Sequence, residues 1–503
     1  MDAHTWQMIG ESLNRFWPEA TLLLTFILLI LADLILGRNR SPVLPVIALL
    51  GLLLSGVLVG LSDLGGASAG VYLFYGLLVA DGYAGLFKLL FALAGALAVI
   101  ASMESLPLRL HRRSMGEYYA ILVGLIFGLY LMASAAHLVA LYLAIELVSL
   151  CSYVLVGYLK DDPKASEAGL KYILYGAVSS AFLLYGFSLL YGLTGTLELY
   201  ALSERLTQVD SGPVLTLAVL LALVGFGYKI AAVPFHFWAP DAYEGAPVPV
   251  AALLAVGPKA AGFAALVRFL IIGLGAEELF ARLEGSALLV VIALLTMTLG
   301  NLAAIGQHNL KRMLAYSSIA HAGYALMGAA ALGELGLQAL VFYLVVYGLL
   351  TFGAFWVVMA VANATGSEDV RAWSGLGWAM PLLGAVMTVF MVGLTGLPPT
   401  AGFAGKLLLF SAVWVAYETS GDPGMLVLLV AGLLNSVISL YYYLKAPYYM
   451  FFRSAELSQP LPAISWVSRA VLLSLAVPSA VLAATPLFPW LAEQVLRNVS
   501  AAF

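Results

Sequence analysis

Charge is scarce in this sequence. Of its 503 residues, 23 are Lys or Arg and 27 are Asp or Glu, a charged fraction of 10%, where a soluble chain carries about 25%. That scarcity argues against a soluble globular protein. A net charge of -4 with no basic domain argues against a nucleic-acid partner. Cysteine is nearly absent too: Cys151 stands alone, which excludes an iron–sulfur cluster ligated within the chain and any internal disulfide. It reads as a small residue in a helix. Strict two-residue alternation is also missing, and that removes the β-barrel from the two structures able to satisfy backbone groups in hydrocarbon.

What is present is apolar length. Hydrophobic residues make up 63% of the chain, and the mean hydropathy is +1.00. Runs of about twenty apolar residues are each long enough to cross a bilayer as a helix. They predict fourteen spans, near 18–36, 43–61, 83–102, 117–134, 136–159, 168–193, 213–238, 248–273, 285–305, 313–333, 336–362, 381–417, 422–452 and 464–489. The fold class expected is an all-α integral membrane protein, one membrane domain without a separable soluble part. The stretch from Met1 to Pro18 holds Asp2, Glu11 and Arg15 without an apolar centre, so no cleavable signal peptide is expected.

Loop charge predicts orientation. The odd-numbered connections carry Arg38, Arg40, Arg109, Arg112, Arg113, Lys160, Lys164, Lys311, Arg312, Arg371 and Arg453. The even-numbered ones carry only Arg205 and Arg282, with Asp63, Asp81, Glu277, Glu278, Glu334 and Asp422 in or near them. The odd loops are therefore expected to face the cytoplasm and both termini the opposite side.

The seventh and twelfth runs share a local pattern. Gly225-Phe226-Gly227-Tyr228-Lys229 and Gly402-Phe403-Ala404-Gly405-Lys406 both read G-F-x-x-K, with Pro234 after the first lysine and Pro398-Pro399 before the second. Under the topology above the two spans run in opposite directions. That is the trace expected of an inverted repeat with broken helices at the membrane midplane.

An ionisable side chain at the bilayer centre costs about 2.5–3.5 kcal/mol on insertion scales, so such groups are rare without a use. Glu146 lies in the middle of the fifth run, Lys229 deep in the seventh, Lys259 just after Pro258 in the eighth, and Lys406 in the broken twelfth. Desolvation and a nearby carboxylate act in opposite senses on the proton affinity of an amine. A Glu146–Lys229 pair that opens and closes would therefore act as a switch, and Lys259 and Lys406 would extend it into a water-bridged relay. The plainer reading of such a group is a static ion pair that fixes helix packing. His236, two helical turns beyond Lys229, is a secondary relay candidate, against an interfacial histidine among aromatics. Lys171 and Lys88, near span ends, read first as snorkelling lysines. His308 and His321 flank the Lys311-Arg312 corner and read first as structural. Lys445 leads either outward or to the cytoplasmic surface.

These residues carry a resemblance. Glu146 and its neighbours, Glu167-Ala-Gly-Leu-Lys171-Tyr, the stretch from Lys229 through His236 to Pro247, Pro258-Lys259-Ala-Ala, Asn309-Leu-Lys311-Arg312 through Tyr316, and Gly396 to Lys406 together resemble the antiporter-like proton-channel subunits of bacterial NADH–quinone oxidoreductase (respiratory complex I), covering about 117 to 450. The resemblance implies three leading helices over 1–116, a first five-helix repeat (spans 4–8) over 117–273, an inverted second repeat (spans 9–13) over 285–453, and a C-terminal helix over 464–503. It also implies Glu146 and Lys229 as the coupling pair, Lys259 as the central relay and Lys406 toward the outlet. A lysine in the twelfth span is similar to the N and L types rather than the M type. A chain that stops after fourteen spans, without a long lateral helix, is expected to be of the N type.

The implied partners are the M-type antiporter subunit and the small J- and K-type membrane subunits. The implied cofactors, flavin and iron–sulfur clusters, belong to other subunits of the complex, with none in this chain, and the implied location is the bacterial inner membrane. No phosphate-cradling glycine loop follows a strand. Three rivals remain: the D-type subunit of a multisubunit sodium/proton antiporter, a haem-bearing electron carrier using His137 and His321 at helix ends, and a structural scaffold.

Overall fold

The structure is a computed structural model that describes residues 3–36, 42–64, 70–111, 115–209, 212–275, 283–454 and 462–503, with side chains from residue 9 onward. Arg38, Arg40, Arg112, Arg113, Glu277, Glu278 and Arg282, which enter the loop-charge argument, lie outside the described residues.

Helices run almost from end to end. α1 (Ala3–Arg15), α2 (Trp17–Leu36) and α3 (Val43–Ser62) lead to a short antiparallel hairpin, β1 (Val71–Leu73) and β2 (Leu78–Ala80), then to α4 (Gly82–Glu104) and α5 (Leu106–Leu110). Next come α6 (Gly116–Ser134), α7 (Leu138–Val156), α8 (Pro163–Thr194), α9 (Leu199–Leu206), α10 (Pro213–Ile230), α11 (Trp238–Gly245) and α12 (Val248–Arg268). The remainder are α13 (Gly285–Ile305), α14 (Leu310–Ala330), α15 (Glu334–Thr365), α16 (Leu376–Ala379), α17 (Pro381–Thr395), α18 (Ala401–Ser420), α19 (Pro423–Phe452), α20 (Trp466–Val481) and α21 (Leu487–Ser500). The hairpin is an addition to the all-α expectation. Its β-branched and aromatic residues suit a strand, and it is tied to the α6–α7 junction by a bridge from Leu78 to Ala135.

Among the described residues, twelve helices are long and apolar enough to cross a membrane, against fourteen expected runs. α14 falls out because Lys311, Arg312, Ser317, Ser318 and His321 share its 21 residues. The run at 381–417 is divided: α17 ends at Thr395, Gly396 turns with φ +88°, and α18 starts beyond Pro398-Pro399. Glycine adopts that left-handed conformation without penalty. The seventh run also breaks. α10 stops at Ile230, Ala231 caps it with φ +58°, and Pro234 follows where a helix would need an amide hydrogen. The run expected at 464–489 divides as well, since Thr485 before Pro486 takes extended backbone and α21 starts afresh.

The centre of the molecule is α12, in which every residue is buried. It packs against α4, α6, α10 and α15. The periphery is apolar instead: Leu34, Ile35, Leu170, Leu174, Val178 and Val437 are all exposed, as lipid-facing positions are. Charge is moved inward. Arg268 at the end of α12 makes a two-pronged, fully buried pair with the Asp81 carboxylate, at 2.9 and 3.1 Å. Lys88 does not snorkel. Its ammonium is buried between Glu19 at 2.6 Å and Asp63 at 2.9 Å, because α2 and the end of α3 bring two acids to it.

Candidate proton-relay site

Glu146 and Lys229 are near each other but not in contact. The Lys229 ammonium, on the last turn of α10, reaches α7 and donates to Ser149 Oγ at 2.9 Å and to the Ile145 carbonyl at 3.4 Å. Glu146, on the same turn of α7, faces α8 and accepts a hydrogen bond from Ser180. Glu146 lies in the middle of α7, as its place in the fifth run predicts, and is partly buried within the protein.

Lys259 projects from the middle of α12 into the space between α14 and α15. Its ammonium donates to both the carbonyl and the hydroxyl of Ser318 and lies 5.9 Å from the centre of the Tyr347 ring. The Tyr347 hydroxyl also donates to Ser318 Oγ, at 2.7 Å. One turn along α14 stands His321. Its two ring nitrogens share hydrogen bonds with Tyr343 at 2.5 Å and Tyr443 at 2.7 Å, and Tyr443 in turn bonds Ser317. His321 is therefore central in α14 and not at a helix end. Lys259 meets Ser318, one turn before His321 on α14, and Lys406 approaches Tyr324, one turn after it.

Lys406 sits on the second turn of α18, where the helix break aims its ammonium at the buried C-terminal end of α17. It donates to the Thr395 carbonyl at 2.8 Å and to Ser436 Oγ at 3.2 Å, with the Tyr324 ring centre 4.3 Å away. Thr395 is the last residue of α17, and the carbonyls of a helix C-terminus carry its negative dipole end. The approach is close because Gly396 and Gly402 leave room: a side chain on Gly396 would strike the Lys406 stem, and one on Gly402 the Gly393 carbonyl. Among the described residues, none of the ion pairs includes Lys229, Lys259 or Lys406.

The secondary candidates separate. Lys171 pairs with Glu167 and Asp241, both at 2.8 Å. Arg312 joins Asp241 at 2.6 Å to Glu244 at 3.0 Å. These charges form a network at the ends of α8, α11 and α14, away from the central row. His236 is buried in the turn after α10, not on a continuous helix with Lys229, and its Nδ1 has no partner among the described residues. His308 is exposed beside Asp369. Lys445 donates to the carbonyls of Gln307 at 2.8 Å and Ile305 at 3.4 Å, at the α13–α14 connection. The hydroxyls of Ser149, Ser180, Ser318, Tyr343, Tyr443 and Ser436 were not singled out in the sequence. For Ser149, Ser318 and Tyr443 the one available signal was a place within a turn of Glu146, His321 and Lys445; Ser180, Tyr343 and Ser436 had no such neighbour.

The chain matches the family described as NADH:quinone oxidoreductase/Mrp antiporter, TM, over residues 135–439. It is 47% identical to the NADH-quinone oxidoreductase subunit N of Chlorobium chlorochromatii and 44% identical to subunit N 2 of Chloroherpeton thalassium, in each case over 88% of this chain and 86% of the relative. Among solved structures it resembles a chain of respiratory complex I from Thermus thermophilus at 34% identity, with a TM-score of 0.77 over 97% of this chain and 100% of that one. A chain of the Mrp complex from Dietzia shares the fold, with a TM-score of 0.83 at 19% identity and 97% coverage of both. Similarity of this extent places the chain in a family: it belongs to the subunit N family of NADH–quinone oxidoreductases, antiporter-like membrane subunits of a translocase.

Proposed function

We propose that the chain moves protons across the membrane through a row formed by Glu146, Lys229, Lys259, His321 and Lys406, driven by quinone reduction elsewhere in the complex. The observation that carries this reading is that three buried lysines, none with a carboxylate in contact among the described residues, are each held by hydroxyls and carbonyls. Hydroxyl groups both give and accept hydrogen bonds, so a proton handed to one can be passed on. Between Lys259 and Lys406, His321 can take a proton at one ring nitrogen and give one up at the other, with Tyr343 and Tyr443 at its two sides. The half-buried Glu146 then serves as the member that senses a neighbouring subunit.

The arrangement proposed around this row is fourteen spans: leading helices over 1–116, a first repeat over 117–273, an inverted repeat over 285–453, and a C-terminal region over 464–503. The G-F-x-x-K segments, each beside a helix break, support the inversion. M-type, J-type and K-type membrane subunits are the proposed partners, and the flavin and iron–sulfur clusters are assigned to other subunits. The proposed setting is the bacterial inner membrane with both termini periplasmic. Lys171, His236, His308 and Lys445 are proposed to serve uptake or release at the ends of the row. Against the multisubunit antiporter reading stands the much higher identity to subunit N relatives.

The test uses the complex reconstituted in vesicles. Lys229→Ala and Lys259→Ala should leave an assembled complex whose proton pumping is lost. Pumping at the wild-type rate in either variant defeats the proposal.

A further inference from the structure

Outside the row, one buried cluster is unused by the relay: Glu19 on α2, Asp63 at the end of α3, and Lys88 on α4. Glu19 and Lys88 are each 2% exposed and Asp63 is 5% exposed. Two carboxylates face one ammonium, so with all three ionised the cluster carries a net charge of minus one in a place without water contact. Buried charge that is not balanced is strongly disfavoured. The oxygen count locates the imbalance. Glu19 Oε1 and Asp63 Oδ2 each take a bond from Lys88, and Asp63 Oδ1 takes one from the Ser62 hydroxyl at 2.7 Å. Glu19 Oε2 is buried and has no partner among the described residues.

The described surroundings do not supply a second cation in contact. Ser55 on α3 bonds to the Pro18 carbonyl and the Tyr130 hydroxyl, and the Tyr130 ring centre on α6 lies 6.0 Å from the Lys88 ammonium. Arg15 on α1 is engaged with the Ser62 carbonyl at 3.0 Å. Arg268 on α12 is engaged with Asp81. Among the described residues, the ion pairs of Glu19 and Asp63 are with Lys88 alone.

We propose that Glu19, Asp63 and Lys88 form a proton-binding site in the leading helices, distinct from the central row, in which the acid pair holds one proton on Glu19. The proton comes from water and returns to it at the membrane end that carries the β1–β2 hairpin. Only an O–H bond forms or breaks. Lys88 lies about 9 Å along α4 from its start, at 1.5 Å per residue, so the site is shallow enough to exchange with that side.

The test is infrared difference spectroscopy on the full-length chain in its assembled complex at neutral pH. Subtracting Glu19→Gln from wild type should reveal a protonated-carboxyl C=O band that shifts in heavy water. The same band should vanish in Asp63→Asn, where Glu19 becomes a simple ion-pair partner of Lys88. No band in the first difference, or a band that survives Asp63→Asn, overturns the proposal. Assembly discriminates as well. An amide reproduces the uncharged carboxyl assigned to Glu19, so Glu19→Gln should accumulate at wild-type level, and its failure to do so also overturns the proposal.

Discussion

Lys229 rests on the hydroxyl of Ser149 at 2.9 Å and not on the carboxylate of Glu146. The two residues of α7 lie less than one turn apart, and the helix divides their duties. Ser149 faces inward to the lysine, while Glu146 turns to Ser180 on α8. A hydrogen bond to a charged group contributes about 1.5–3 kcal/mol. Ser149→Ala is therefore expected to slow proton pumping by roughly tenfold in reconstituted complex while assembly and quinone reduction capacity persist. Ser149→Thr should restore most of the rate. An alanine variant that pumps normally would remove Ser149 from the site.

The His321 ring is held from both sides by tyrosine hydroxyls. Replacing it with phenylalanine leaves the buried Tyr343 hydroxyl without this partner, at a cost of about 1–3 kcal/mol, while the Tyr443 hydroxyl keeps Ser317. Thermal unfolding of His321→Phe should drop by several degrees, and pumping should fall further than stability alone explains. His321→Gln, which keeps two polar ends, should recover stability but not pumping. Recovery of both would make the residue a structural spacer.

Gly402 lets α18 approach the end of α17, and an added methyl there meets the Gly393 carbonyl. Overpacking of this kind costs about 1–3 kcal/mol, and here it also moves the Lys406 stem. Gly402→Ala should reduce both complex yield and pumping, whereas Gly306→Ala, at an open position, should change neither. Equal behaviour of the two variants would refute the close approach.

Arg268 and Asp81 join the end of α12 to the start of α4 in a site that is 2% exposed on each side. Removing one member strands a buried charge, at about 3–5 kcal/mol. Arg268→Met should therefore prevent stable assembly, measured as subunit recovered in membranes. The charge-free double variant Arg268→Met with Asp81→Asn should recover a substantial part of it. No recovery would show that the pair contributes more than charge balance.

Asp369 stands in the connection after α15, capping a short turn over Val370–Trp373. The hydrogen bonds from the Arg371 side chain hold its carboxyl below the usual carboxylate range. A lowered value in the folded state means that the contribution to stability is complete above the unfolded carboxylate's value of about 3.9 and is lost as pH falls through the folded one. The Arg371 amide, which donates to Asp369 at 2.8 Å, should keep its protection against hydrogen exchange, measured relative to unfolded peptide at the same pH, down to that value and lose it only below. Loss of protection already near pH 6 would contradict the pairing.

How much of this was legible in the residues depends on the kind of signal. Glu146, Lys229, Lys259 and Lys406 stand out because a charge inside an apolar run is conspicuous. The helix breaks were marked by Pro234 and by Pro398-Pro399. Serine and tyrosine hydroxyls leave no such mark. Ser149 satisfies itself on the Ile145 carbonyl within its own helix, so its presence in an apolar run costs little and attracts no notice. Lys88 was misread for a different reason. Its position near a span end allows snorkelling, and nothing local reveals that Glu19 and Asp63 converge on it from other helices. α14 was expected as an ordinary span, yet it is the most polar of the central helices, because its residues face α12, α15 and α19 instead of lipid.

The severed helix at Thr395 has one last effect. Lys406 is solvated by the blunt end of α17 and by a serine, neither of which carries a formal charge. In the relay proposed above, a proton leaving Lys406 strands no anion beside it, and its return needs no salt link to be re-formed. The berth is habitable loaded or vacant, a property that a fixed counter-ion would have destroyed.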